Sequence, residues 1–450
     1  MHRRNLFFLI LLPAIAFGQV SVQWHKTFKN GIQSINSAVS LKTDKWGNIF
    51  VLGTTHEPDS VKKIMLFKFD SSGTEQWRRI HRAQAGTDEV AVGMALDHEG
   101  NTVITGTVKN ESGNTDIITL KYSTDGILDW ENIYAGKANL FDAPKRMAID
   151  RKGNVFVCGY ETAGEANPDL LLLRYQASGE LSYVRNYSSP QMDIAVDVAV
   201  DDSCNAYVCG NINVDTHSAD ILLIKFDSTG NTKWQYAYDG PEGTVDVATE
   251  IALDDSTNIF ITGSANHAND KSDVPLIKFN RNGKLIHEQH IGEGVADGIG
   301  SALVTGDKTV FVQTAFTDFL QQTVTISIYM ADKSCQEKFR FRPSSEDITY
   351  LKAAPWRNNS TLLFGSILSR PENTIAPYIG IADSSNQVNY EFHDDVFTSL
   401  LHIKDVLLSG REIYFLGDDA TENAGTISVV KYALPDMPKS RPGTTKPKAK

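Results

Sequence analysis

Cysteine is scarce in this chain: four among 450 residues are too few for a disulfide scaffold at this length. Proline is scarce too, at 15 residues, and the 33 glycines follow no three-residue period, which excludes collagen-like and proline-rich disordered classes. No apolar run reaches the ~20 residues that a membrane-crossing helix requires. Positive charge is in deficit, with 43 Lys and Arg against 55 Asp and Glu. Setting aside Arg3, Arg4 and the five basic residues after Met437 leaves 36 basic against 55 acidic residues, a balance of −19. A body so acidic repels phosphate backbones, so nucleic acid is not expected as a partner. What remains is an ordinary soluble composition, 41% apolar, with ample material for a core.

The two ends differ from the body. Arg3 and Arg4 precede an apolar stretch from Leu6 to Phe17, and Ala16-Phe17-Gly18 places small residues before a cut after Gly18. Residues 1–18 therefore read as a secretory signal peptide, too short for a membrane anchor. No cysteine follows the run, which disfavours a lipoprotein. The expected location is secreted or periplasmic, with association to the cell surface open and no stable membrane insertion. Residues 435–450 are rich in proline and basic residues, without apolar pattern, and read as a flexible tail.

Residues 19–434 repeat. A strand-like run ending in glycine recurs at Gly53, Gly106, Gly159, Gly210 and Gly263, and in weaker form at Gln313, Gly365 and Gly417, with spacings of 50 to 53 residues. Each unit carries four β signals, designated strands a to d. Strand a leads into the turn Asp-x-x-Gly-Asn at Asp44, Asp97 and Asp150, where glycine can take the positive φ of a tight bulged hairpin. Cys204 and Thr257 replace that glycine in two units. Strand b is the run just described. Strand c is apolar and closes with a cation and an aromatic, as at Lys68-Phe69, Lys121-Tyr122, Arg174-Tyr175, Lys225-Phe226, Lys278-Phe279 and Lys431-Tyr432. Strand d follows a second glycine turn and carries Trp77, Trp130, Tyr183, Trp234, His287, Phe339 or Tyr390.

Four short antiparallel strands per ~50 residues, repeated around the chain, predict an all-β propeller, because closing a ring of blades lets each sheet cover the next. Trp24 stands 53 residues before Trp77, so the chain starts on a d strand and ends on a c strand. Pairing of those two strands would close a ring of eight blades. Seven is the alternative, since the sixth and seventh units are degenerate. The protein is expected to be a monomer.

The unit resembles the SBBP-type β-propeller repeat of secreted bacterial proteins. The stretch Asp70-Ser71-Ser72-Gly73-Thr74-Glu75-Gln76-Trp77, and its copy from Asp227 to Trp234, is similar to the tryptophan-docking motif of quinoprotein propellers. The second resemblance implies that Trp24, Trp77, Trp130 and Trp234 pack across blade junctions. Neither resemblance implies an activity, because propellers host many.

Candidate chemistry is thin. The sequence has no Gly-x-Ser-x-Gly elbow, no phosphate loop and no Asp-x-Asp-x-Asp-Gly calcium loop. His287 and His290, three apart on a strand, face opposite sides. No cofactor and no metal is expected. Cys158 and Cys209 read as small buried fillers, and the cations that close strand c as stems lying over blade edges.

An acidic residue does recur about eight positions before each turn: Glu89, Asp142, Asp193, Asp246, Asp297 and Asp347, with Asn36 in the first unit. These would stand at the entrance of strand a, ringing one mouth of the channel as a site for a cation or polycationic ligand. The competing reading is that each caps its own loop by accepting backbone N–H bonds.

The function read from sequence is an exported, non-enzymatic module binding a protein or a glycan. The alternative is a propeller enzyme, a glycan hydrolase or lyase or a cofactor-dependent dehydrogenase, with its site at the channel mouth. Departures from the repeat at Asp318 to Leu320, Arg340 to Ser345, Trp356-Arg357 and His393 to Asp395 mark the last three units as the expected special surface.

Overall fold

The computed structural model describes residues 20–434. It omits short stretches between strands, the longest of which are 292–300, 342–347 and 394–401, and most side chains between 301 and 351. Residues 1–18 and 435–450, which the sequence reading set apart, lie outside the described residues, as do most of the departures noted in the last three units.

Eight four-stranded antiparallel sheets form, each from strands a to d in order. Blade one comprises Ile35–Thr43, Ile49–His56, Lys63–Phe69 and Glu75–Ile80. The next six follow in sequence, with a strands at Glu89–Leu96, Ala143–Ile149, Asp193–Val200, Asp246–Leu253, Ser301–Thr305 and Ile348–Pro355. Blade eight takes a, b and c from His402–Ser409, Glu412–Asp419 and Thr426–Ala433, and its d strand from Ser21–Phe28 at the other end of the chain. That pair runs from Ser21 opposite Ala433 to Phe28 opposite Ile427. Successive a strands contact one another from blade one to blade six, and blade one meets blade eight in the same way, so strand a is innermost. The architecture is a β-propeller.

Strands b and c are buried on both faces, which accounts for their continuous apolar runs. Phe50 and Leu52 face blade two, packing with Ile104, Leu120 and Met94, whereas Ile49 and Val51 pack with Tyr414 and Val429 of blade eight. The c strands and d strands register so that Trp24, Trp77, Trp130, Tyr183, Trp234, His287, Phe339 and Tyr390 each stand opposite the equivalent c residue. The repeat read from sequence is therefore also a repeat of register.

The a–b turns explain the conserved geometry of Asp-x-x-Gly-Asn. In blade one, Asp44 Oδ1 accepts the N–H groups of Trp46 and Asn48, both at 2.9 Å, and Gly47 has φ 82°. Cys204 and Thr257 take the same left-handed backbone, at φ 61° and 58°, with the same aspartate caps. The neighbouring hydrogen bonds hold a strained side chain where glycine would be at ease.

The junctions are built around the d-strand aromatics. Trp24, Trp77, Trp130 and Trp234 lie over the c–d turn of the following blade, where Gly73, Gly126, Gly179 and Gly283 leave no room for a Cβ. Each indole Nε1–H donates to a carbonyl there: Ser71, Thr124, Ala177 and Arg281, at 3.0 to 3.3 Å. Lys431, Lys68 and Lys225 donate to three of the same carbonyls, and their ammonium groups lie over Tyr414, Phe50 and Tyr207. The tryptophans are half-buried and hydrogen-bonded across the junction. These three closing cations are not merely lying along a surface: they tie blades together.

Strand a is a sheet edge on its inner side, and unpaired N–H groups there need partners. Side chains of the preceding blade supply them. Asp418 Oδ2 accepts from Ala38 N–H at 3.1 Å, Thr54 Oγ1 from Ala91 at 3.1 Å, and Asn211 Oδ1 from Ala248 at 2.7 Å. Further along, Asp405 accepts from Leu41 at 3.0 Å and Asp197 from Ile251 at 3.1 Å. A bulge in seven of the a strands aims these donors across the junction.

Candidate functional site

Glu89, Asp142, Asp193 and Asp246 stand at the entrances of their a strands, as the sequence pattern placed them, but their side chains are fully buried. Asp142 accepts from Gly136 and Thr162 N–H, and Asp193 from the Ser189 N–H and hydroxyl. Asp246 accepts from Gly240 N–H at 2.6 Å. Glu89 reaches the preceding blade, accepting from Ile64 N–H at 3.3 Å and bonding His81 Nδ1 at 2.8 Å. Asn36, in the same place, donates to the Gly425 carbonyl at 2.8 Å. These side chains face backbone donors and not an open lumen. Burial raises the Asp142 and Asp193 pKa values and pushes Asp246 up to about 6. Among the described residues no group of three potential metal ligands forms. Asp297 and Asp347 lie outside the described residues.

Beside this ring, polar tips of the d strands latch them to the next blade. The residue four after the docking aromatic, His81, Tyr134 or Tyr238, reaches a carboxylate of the next blade. His81 Nε2 lies 3.4 Å from Glu131, Tyr134 bonds Glu161, and Tyr238 donates to Glu288 at 2.7 Å. His290 Nε2 is 3.1 Å from the Tyr238 hydroxyl and 3.0 Å from Glu288. Burial opposes protonation of His81, but the bond to Glu89 and the charges of Glu89 and Glu131 outweigh it and raise its pKa.

Two features escaped sequence reading. One lines the innermost strands: the position four before each turn aspartate holds Ser40, Gly93, Arg146, Asp197 and Glu250, and Asp405 occupies the matching bulge position in blade eight. Lys42 and Lys352 stand close by. Burial lowers the Lys42 pKa, with Asp405 opposing and Lys352 and Arg146 adding to the shift. Side chains from blades one, three, seven and eight thus converge on the axis. Aligning the units on their turns exposes this column, whose residues differ from unit to unit and carry both signs of charge, and so leave no compositional trace.

The other feature is a polar cleft of about 330 Å³ between blades four and five, on the face that carries the a–b and c–d turns. Asp202, Ser203, Asn205, Lys225, Arg281 and Asn282 line it, and Asp201 and Tyr207 close its floor through a 3.1 Å hydrogen bond. Burial lowers the Lys225 pKa, partly offset by Asp201. The residues come from separate turns and become neighbours only when the blades meet.

No protein-family model matches the chain, and no curated protein matches it. Solved structures do resemble it. Polysaccharide lyase Uly1 aligns at 11% identity and TM-score 0.48, over 88% of this chain and 90% of its own. The WD40 domain of SCAP from fission yeast aligns at 10% and 0.48, over 92% and 98%. The β-propeller domain of the Trilobed protease from Pyrococcus furiosus aligns at 9% and 0.45, over 81% and 96%. The likeness is one of fold; the SBBP-type repeat family finds no support beyond the sequence motifs.

Proposed function

We propose that the protein is an exported, non-enzymatic binding module, and that its ligand is a glycan held in the cleft between blades four and five. The cleft carries the reading. Its volume falls in the range of small-ligand sites, ~300–1,000 Å³, and its rim offers hydroxyl, amide, carboxylate, ammonium and guanidinium groups side by side. Such a mixed donor and acceptor set suits a polyhydroxylated ligand better than an apolar one. The test is a glycan array with the full mature chain and with Asp202→Ala, Arg281→Ala and Asn282→Ala. Glycans retained by the parent and lost by the three variants, with melting unchanged, support the assignment. Retention of no glycan, or equal retention by the variants, overturns it, and a captured protein partner would then be the other form of the same module.

The enzymatic alternative rests on Tyr238, Glu288 and His290, where a phenol and an imidazole lie within hydrogen-bonding distance, an arrangement compatible with acid–base chemistry. It sits on outer strands and not at the channel mouth. Polysaccharide turnover abolished by Tyr238→Phe would establish it in place of the binding reading.

A further inference from the structure

In the column on the innermost strands, blade two is the exception. Where its neighbours carry Ser40 and Arg146, it carries Gly93, and two residues on it carries Ala95 where blade one carries Lys42. A Cβ built on Gly93 meets nothing within 4 Å. The wall of blade two is therefore open beside Arg146 of blade three, and Lys42 of blade one stands on the other side two residues further along its strand. Gly93 has no positive φ, so the backbone does not require glycine there; what glycine provides is space.

The flanking cations are uncommitted. Neither Lys42 nor Arg146 has a hydrogen-bond or ion-pair partner among the described residues. The carboxylate that Lys42 senses, Asp405, already accepts from Leu41 N–H at 3.0 Å and lies 3.4 Å from Lys352 Nζ. The one beside Arg146, Asp197, accepts from Val198 at 2.8 Å and Ile251 at 3.1 Å. Two cations near enough to repel each other, one half-buried, with their nearest carboxylates otherwise engaged, form an electrostatically unbalanced spot. Removing an ammonium from water without a counter-charge is costly, and a guanidinium fork suits a planar or tetrahedral oxyanion.

We propose that the channel wall over Gly93 is a binding site for a single oxyanion group, a sulfate, phosphate or carboxylate, held between Lys42 and Arg146. The group could arrive as a free inorganic ion or as the acidic substituent of a saccharide, and the chemistry at the site is the same. This site is separate from the cleft between blades four and five, and its test does not depend on that cleft.

The experiment follows melting of the full mature chain against sodium sulfate and, in a second arm, sodium glucuronate, with sodium chloride at matched ionic strength as reference. Specific binding gives a saturable rise, distinct from the non-saturating stabilisation that sulfate confers on proteins in general. The Lys42→Gln/Arg146→Gln pair should lose the saturable part, with apparent affinity falling by at least about tenfold. Gly93→Glu supplies a carboxylate from the wall itself: it should melt higher than the parent in low salt and show no saturable response. Response to sulfate alone assigns a free ion, and response to glucuronate assigns a saccharide acid. No saturable response in either arm overturns the proposal, as does an equal response from the Lys42→Gln/Arg146→Gln variant, which decides the matter should Gly93→Glu fail to fold.

Discussion

The junction between blades one and two makes a quantitative prediction, because Trp77 and Gly126 occupy one another's space. A Cβ on Gly126 would lie 2.8 Å from Trp77 Cδ2, and Gly126 has φ 75°. Trp77→Ala removes a half-buried indole and its 3.0 Å bond to Thr124. A fully buried Trp costs ~3–5 kcal/mol on truncation; halving that for exposure and adding ~1 kcal/mol for the bond gives about 3 kcal/mol. Gly126→Ala costs ~1–2 kcal/mol for the left-handed backbone and a further ~1–3 kcal/mol for overpacking against the indole. With Trp77 already removed, only the backbone cost remains. The double variant should therefore be less destabilised than the sum of the singles by about 1–3 kcal/mol. Urea unfolding of the parent, both singles and the double variant measures this directly. Strict additivity would show that the indole does not dock on Gly126, and the junction described above would be wrong.

A chain beginning at Asn30 lacks the d strand of blade eight and bares the edge of Thr426–Ala433; it should aggregate or exchange strands on gel filtration, whereas a chain ending at Pro435 should elute as the full mature chain does. Asp246, with its pKa raised to about 6 by burial, binds its proton more tightly folded than unfolded, so its contribution to stability falls as pH rises from ~4 to ~6. Asp246→Asn should accordingly be more stable than the parent at pH 7 by about 1–2 kcal/mol after allowance for solvent screening, with the difference vanishing below pH 4, as followed by melting across that range. Thr257→Gly relieves the φ of 58°, worth ~1–2 kcal/mol, against ~0.5–1 kcal/mol of added chain entropy. It should raise the urea midpoint slightly, and a fall would mean that the Thr257 side chain contributes to its turn.

Strand order and closure were legible because each unit repeats its turn chemistry and because Trp24 keeps the interval of the d-strand series. Tight hairpins announce themselves through local residues, as Asp44 and Gly47 do. The junction between blades does not. That Asp418 serves Ala38, or that Lys68 and Trp77 share the Thr124 carbonyl, depends on which faces meet after closure. The acidic residues at the strand entrances were found by their spacing, but spacing cannot tell a carboxylate open to the channel from one folded onto Gly136 or Gly240 N–H. The cleft of blades four and five was missed for a similar reason. Asn205 and Arg281 stand 76 positions apart and look like ordinary turn residues in isolation.

The way the ring is fastened also sets how it responds to mechanical load. Ser21 lies directly opposite Ala433, at the same end of the strand pair, and the antiparallel register then runs inward to Phe28 and Ile427. Tension applied through the two chain ends would not shear this pair, with all its hydrogen bonds loaded at once. It would peel them one after another from the Ser21 side, each bond carrying the full load only as its turn comes. A ring stable to heat could thus open at low force when tethered at both ends, and resist far better when pulled through one end and a point in blade four.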